Sequence, residues 1–258
     1  MKLEAKGELT GVTALLKQCE SLGKASNLIV SMEDKGIIIH VIDASHVALF
    51  IGSIKKEYFE EYTAEAGTTV VDWKKLYKVL TLIGKDIEFI LKIEGNNLYL
   101  RTEKTSYRMG LYTNKEITLP RLPNLEFTSS FIVQRTEFLT ACKLLETIED
   151  DNIKFFITTK GVEIKGNNNE NEVIYSIPSN NLKEFSLKKK KIKAVFSVDF
   201  LKSFLKNTSV EELKVEMGTD IPIKFTTLIN PNTGSTYLVA PRIEDDKEEK
   251  EEEDNADN

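Results

Sequence analysis

The chain of 258 residues has only two cysteines and two histidines, the residues that disulfide cross-links, metal sites and general acid–base catalysis most often use, and it also holds one tryptophan and six prolines. Cys19 and Cys142 are isolated and each falls at an apolar position of a predicted helix, so both read as buried thiols in a reducing compartment rather than as a disulfide. The two histidines, His40 and His46, lack any Cys/His spacing that would make a zinc site. There is no phosphate loop of the Gly-x-x-x-x-Gly-Lys type and no Gly-x-Ser-x-Gly elbow. No catalytic residue, metal or cofactor is expected, and the enzyme class ranks last. No run of 18 apolar residues and no N-terminal signal segment is found, which predicts a soluble, intracellular protein with no membrane partner.

Hydrophobic residues make up 41% of the chain, enough for one large domain or two of ordinary size. A fold of this length buries about 70–75% of its unfolded surface and needs no staples. Net charge is −6, but residues 244–258 hold ten acids against Lys247 and Lys250, a net −8. The preceding 243 residues therefore carry the difference, +2. Residues 244–258 read as a disordered acidic tail, and a near-neutral body still binds a polyanion if its lysines gather on one surface.

Strand signals and tight turns dominate. Residues 28–32, the turn Asp34-Lys35-Gly36 and residues 37–42 make a hairpin pattern, and further turns fall at 94–97, 160–161, 166–171 and 230–234. Four segments have helical periodicity, roughly 9–23, 72–83, 136–148 and 198–207. Residues 118–130 carry two prolines and no periodicity, and read as a connector. The order of elements before and after it is the same, which predicts an α+β fold of two similar domains, 1–117 and 131–243, each with two helices on antiparallel sheet.

Residues 41–51 (Val-Ile-Asp-Ala-Ser-His-Val-Ala-Leu-Phe-Ile) form a strand-like run with one polar interruption. Neighbouring strand residues point to opposite faces, so Ser45 and His46 would not share a hydrogen bond, and a hydrolase triad with Asp43 is set aside. Together with residues 237–245 (Tyr-Leu-Val-Ala-Pro-Arg-Ile-Glu-Asp), this run resembles the proliferating cell nuclear antigen (PCNA) family, the DNA sliding clamps. The resemblance implies the DNA clamp fold, in which six such domains close a ring around duplex DNA as a processivity factor.

The helices repeat one design. Val12, Leu15, Leu16, Cys19 and Leu22 make an apolar stripe, with Thr13, Lys17, Glu20 and Lys24 opposite. Asp72 is an expected N-cap for the second helix, where Trp73, Leu76, Tyr77 and Leu80 point inward and Lys74, Lys78 and Thr81 outward. Phe138, Ala141, Cys142, Leu145 and Ile148 form the third stripe, with Thr140, Lys143 and Thr147 outside. In the fourth, Ser197 is an expected cap, Phe200, Leu201, Phe204 and Leu205 pack, and Asp199, Lys202 and Lys206 face out. The plain reading is that surface helices carry lysine for solubility. The resemblance implies instead that these helices line the hole, making Lys17, Lys24, Lys74, Lys78, Lys143, Lys202 and Lys206 candidates for sequence-independent phosphate contact. Lys188-Lys189-Lys190-Lys191 followed by Lys193 reads first as a solvated turn, with a nuclear-localisation patch or an extra DNA contact as alternatives.

The resemblance also implies an apolar pocket for short peptides of polymerases, clamp loaders, nucleases and ligases. Matching positions are Ile42, His46, Val47 and Leu49; Leu119, Leu122 and Phe127; and Pro222, Leu238, Val239, Ala240, Pro241 and Arg242. Rings of the family close by edge-strand pairing, for which residues 105–111 and 173–178, with Tyr107 and Tyr175, are the candidates. A homotrimer, a subunit of a heterotrimeric clamp and a monomeric clamp-fold binding module share these features. The location implied is the nucleus of a eukaryote and otherwise the cytoplasm.

Overall fold

The computed structural model describes residues 2–23, 25, 27–84, 87–112, 117–120 and 124–243. The first half runs β1 (Lys2–Glu8), α1 (Leu9–Cys19), β2 (Asn27–Glu33), β3 (Gly36–Ile42), β4 (Ala48–Lys55), β5 (Glu61–Ala64), β6 (Gly67–Asp72), α2 (Trp73–Ile83), β7 (Glu88–Glu94), β8 (Asn97–Arg101) and β9 (Ser106–Gly110). The second half repeats that order: β10 (Ser129–Gln134), α3 (Arg135–Thr147), β11 (Asn152–Thr158), β12 (Gly161–Asn167), β13 (Glu172–Pro178), β14 (Lys183–Leu187), β15 (Ile192–Ser197), α4 (Val198–Asn207), β16 (Glu212–Met217), β17 (Ile223–Asn230) and β18 (Thr233–Val239).

Three antiparallel sheets result, ordered β5-β1-β7-β8-β9, β14-β10-β16-β17-β18-β4-β3-β2-β6 and β13-β12-β11-β15. The nine-stranded sheet joins the halves where β18 pairs with β4, Thr233 opposite Ile54 through Val239 opposite Ala48. Side chains alternate across it as strand geometry requires. One row, Val41-Phe50-Tyr237-Phe225-Val215-Phe131, is all but wholly buried. The next row, Ile42-Leu49-Leu238-Lys224-Glu216, lies on the other face.

Helices cover the buried row. Phe204 of α4 stacks on Tyr237 with ring centroids 4.3 Å apart, and Phe138 of α3 meets Phe225 edge-on at 6.2 Å. The helices touch in the order α2, α1, α4, α3, forming one layer. Asp72 caps α2 by accepting the Lys75 N–H at 3.3 Å, as its position predicts. Ser197 occupies the N-cap position of α4 but makes no side-chain cap bond, contrary to expectation.

The halves match at the level of turns. Gly36 (φ +138°) and Gly161 (φ +134°) open equivalent hairpins, and a Cβ at either would collide with the carbonyl of Ile54 or Ile177. Asp43 accepts the N–H groups of Ser45 and Ala48 just as Asn168 accepts those of Glu170 and Asn171. Tyr107 faces Leu100 as Tyr237 faces Phe225.

Two local expectations are corrected. Residues 41–51 are a hairpin, not one strand: β3 stops at Ile42, β4 starts at Ala48, and His46 has φ +59°. Strand parity therefore does not exclude a triad; the Ser45 hydroxyl donates directly to the Asp43 carboxylate, with no imidazole between them. Thr13, expected on the polar side of α1, is buried, and so is Gln18. The reason is tertiary: α1 touches α2, α4 and β18, so its buried surface is wider than one stripe. Gln18 Nε2 donates to Thr208 Oγ1 at 2.8 Å and its Oε1 accepts from Ser235 at 2.5 Å, tying the two halves together.

Candidate nucleic-acid and peptide interfaces

The outer side of the helical layer carries Lys17 on α1, Lys74 and Lys78 on α2, Lys143 on α3 and Lys206 on α4, all exposed. Lys24 lies outside the described residues. Lys74 is tethered, its ammonium donating to Gly23 O at 2.7 Å and lying 5.7 Å from the Trp73 ring centroid. Lys202 departs from expectation: its side chain is only 16% exposed and forms an ion pair with Glu146 of α3. Burial, then Lys206 and Lys143 beside it, lower its pKa, while the Glu146 carboxylate supplies the counter-charge. Glu20 and Asp199 are also exposed on the layer and dilute its positive charge. Beneath it, Cys142 is buried with its thiol pushed up to about 12, and Cys19 is raised well above the usual range.

The opposite face of the nine-stranded sheet brings Ile42, Leu49 and Leu238 side by side by cross-strand pairing. The 43–47 turn frames this apolar row. Asp43 holds the turn: burial pushes its carboxyl pKa up, but hydrogen bonds from Ala48, Ser45 and Val47 outweigh that and keep it below the usual carboxylate range. The Ala240 N–H donates to Val47 O at 2.8 Å, locking the end of β18 to the turn. Pro222 precedes Ile223, which pairs with Val239. Val239 itself is enclosed in the core, so its side chain is absent from this face. His46 is exposed at the tip of the turn. Phe127 lies under Lys224, whose Nζ is 5.5 Å from the ring centroid, while Leu119 is exposed and Leu122 lies outside the described residues. Pro241 and Arg242 lead away toward β15, and Arg242 Nη1 donates to Asn152 Oδ1 on the neighbouring β11 at 2.6 Å. The buried Gln18 bridge had no sequence signal beyond an amide at a helical position.

Tyr107 lies on β9 and Tyr175 on β13, each the terminal strand of its sheet. Tyr175 donates to Glu137 Oε2 of its own α3 at 2.5 Å; burial, then the carboxylate, push its pKa up to about 12. Among the described residues no group of three or more His, Cys, Asp or Glu could hold a metal ion, and no helix is long and apolar enough to cross a membrane.

Among the described residues, two matching halves of nine strands and two α-helices each are fused through one continuous sheet under one helical layer, the architecture of the DNA clamp fold. Residues 5–109 match the family model of the proliferating cell nuclear antigen N-terminal domain. The DNA polymerase sliding clamp of Methanococcus maripaludis is 28% identical over 243 residues, covering 86% of this chain and 94% of the relative. That of Methanocella arvoryzae is 26% identical over 213 residues, covering 81% and 86%. Among solved structures, Archaeoglobus fulgidus PCNA bound to the C-terminal region of FEN-1 superposes with a TM-score of 0.83 at 24% identity, covering 95% of this chain and 100% of that one. PCNA from Entamoeba histolytica gives 0.82 at 19%, covering 93% and 99%. Over residues 5–109 the chain is thus similar to the proliferating cell nuclear antigen N-terminal domain, and along its length it shares the fold of the sliding clamps.

Proposed function

We propose that this protein is a non-catalytic sliding clamp: three copies close a ring around duplex DNA and tether polymerases and other replication and repair enzymes through short peptides. Its two lobes, 1–117 and 131–243, are linked by the 118–130 connector, and it works where the genome is, in the nucleus of a eukaryote and otherwise in the cytoplasm. The carrying observation is the internal joint. β18 of the second half pairs with β4 of the first, and the equivalent strands β9 and β13 are each left as a terminal strand of their sheets. Repeating the internal pairing between copies covers both edges and closes the sheet around a ring, which also removes an aggregation hazard.

The internal register also transfers. Tyr107 is equivalent to Tyr237 and Val173 to Phe50, so repeating the Tyr237–Phe50 pair sets Tyr107 opposite Val173 and Arg108 opposite Glu172 of the next copy. The internal seam has Leu238 opposite Leu49 at that position. One chain thus carries both signs of a complementary joint, which favours a homotrimer over a heteromeric ring. The helical lysines then supply weak, sequence-blind phosphate contacts suited to sliding, and the Ile42-Leu49-Leu238 row takes apolar peptide anchors. The test is topological. Loaded by a clamp loader onto nicked circular DNA, the protein stays bound through gel filtration and is lost once the circle is linearised; equal retention on both forms refutes encirclement.

A further inference from the structure

β15 is one open edge of the β13-β12-β11-β15 sheet, opposite β13, and the chain leaves the fold beside it. Arg242 forms an antiparallel bridge with Val195, its N–H donating to Val195 O at 2.7 Å, and Ile243 is 92% exposed. Fifteen residues follow, with ten acids against two lysines. The turn before β15 is Lys188-Lys189-Lys190-Lys191, all exposed, and Lys193 follows on β15. The Lys191 ammonium lies 5.4 Å from the centroid of the Phe156 ring, as does that of Lys165 at 5.1 Å. Lys165 is also paired with Glu163 at 3.3 Å, so the positive charge of this face rests on the 188–191 turn and Lys193.

We propose that the acidic tail docks in cis on the lysine-rich edge of β15, extending the Arg242–Val195 bridge as a short antiparallel strand. The register supports this occupant. Directly opposed residues in an antiparallel pair share a face, and the pairing shifts by one residue on each strand in opposite directions. Continuing from Arg242 opposite Val195 sets Glu244 opposite Lys193 and Asp246 opposite Lys191, with Glu248 reaching Lys189. Strand addition satisfies the edge backbone, and alternate acids meet alternate lysines. The same course leads the tail away from the Ile42-Leu49-Leu238 row, so the peptide face stays open while the basic edge is covered. The tail then excludes polyanions from this edge without touching the helical face.

Two measurements on the full chain and on a chain ending at Ile243 test this. Hydrogen exchange of residues 192–195 at low salt should be roughly tenfold slower in the full chain. That protection should vanish near 1 M salt, where the Debye length falls to about 3 Å, and in a full-length Lys189→Glu/Lys191→Glu/Lys193→Glu variant. Carbodiimide should link Glu244 or Asp246 to Lys191 or Lys193 within one chain. Equal exchange in the two chains overturns the proposal. So do cross-links that run to Lys17, Lys78 or Lys206 instead, or protection that survives the triple charge reversal.

Discussion

Arg108→Glu should loosen the ring, and adding Glu172→Arg should mend it. Directly opposed cross-strand residues have Cβ atoms about 4.5–5.5 Å apart; opposite charges there contribute roughly 0.2–1 kcal/mol, and like charges oppose pairing by a comparable amount. Reversing Arg108 turns an attraction into a repulsion at each joint, a swing of about 1 kcal/mol, or roughly fivefold in affinity. A closed trimer has three identical joints, so the total swing approaches 3 kcal/mol, about a hundredfold in the equilibrium between ring and separated chains. Light scattering across a dilution series reads this directly: the midpoint moves to higher concentration in the single variant and returns in the double variant. Because both side chains are solvent-facing, the difference should shrink at high salt. An Arg108→Glu ring with wild-type dilution behaviour, or a double variant no better than either single one, refutes the transferred register.

Asp43→Ala leaves the buried Ala48 N–H without its acceptor and should cost about 1–3 kcal/mol in urea unfolding at neutral pH. The folded pKa of Asp43 is depressed, so its stabilisation is complete above the ordinary carboxylate range, near pH 4, and is lost as pH falls through the folded value; wild type and variant should converge in acid. Gln18→Leu strips partners from the Thr208 and Ser235 hydroxyls, though Ser235 keeps Thr227, and should cost about 1–3 kcal/mol by the same assay. Lys78→Glu with Lys206→Glu should leave assembly intact, weaken DNA binding and flatten the plot of log affinity against log salt by about 0.9 per lost phosphate contact; an unchanged slope removes these two lysines from the DNA-facing set.

Much of this was legible because periodicity reports burial directly. Phe138, Ala141, Cys142 and Leu145 recur at helical spacing, and all four are fully buried on α3. Gly36 and Gly161 mark their hairpins because only glycine fits there. What the pattern missed depends on partners distant in sequence or on capping inside an apolar run. Gln18 looks like any solvent-side amide until Thr208 and Ser235 close on it from the other half. Lys202 scans as an outward lysine, yet the packing of α3 on α4 brings Glu146 to it. At 43–47, β-branched and apolar neighbours hide a turn that one carboxylate organises. For the candidate interfaces, the apolar row emerges only once β18 is placed beside β4, a pairing nearly 190 residues apart in the chain.

Absolute mass by light scattering on the full chain expressed alone decides whether the ring is self-sufficient. Three copies of the 29.3 kDa chain give about 88 kDa, and that species should persist on dilution through the low micromolar range. A stable 29.3 kDa monomer throughout would mean that β9 and β13 of identical chains do not complete each other.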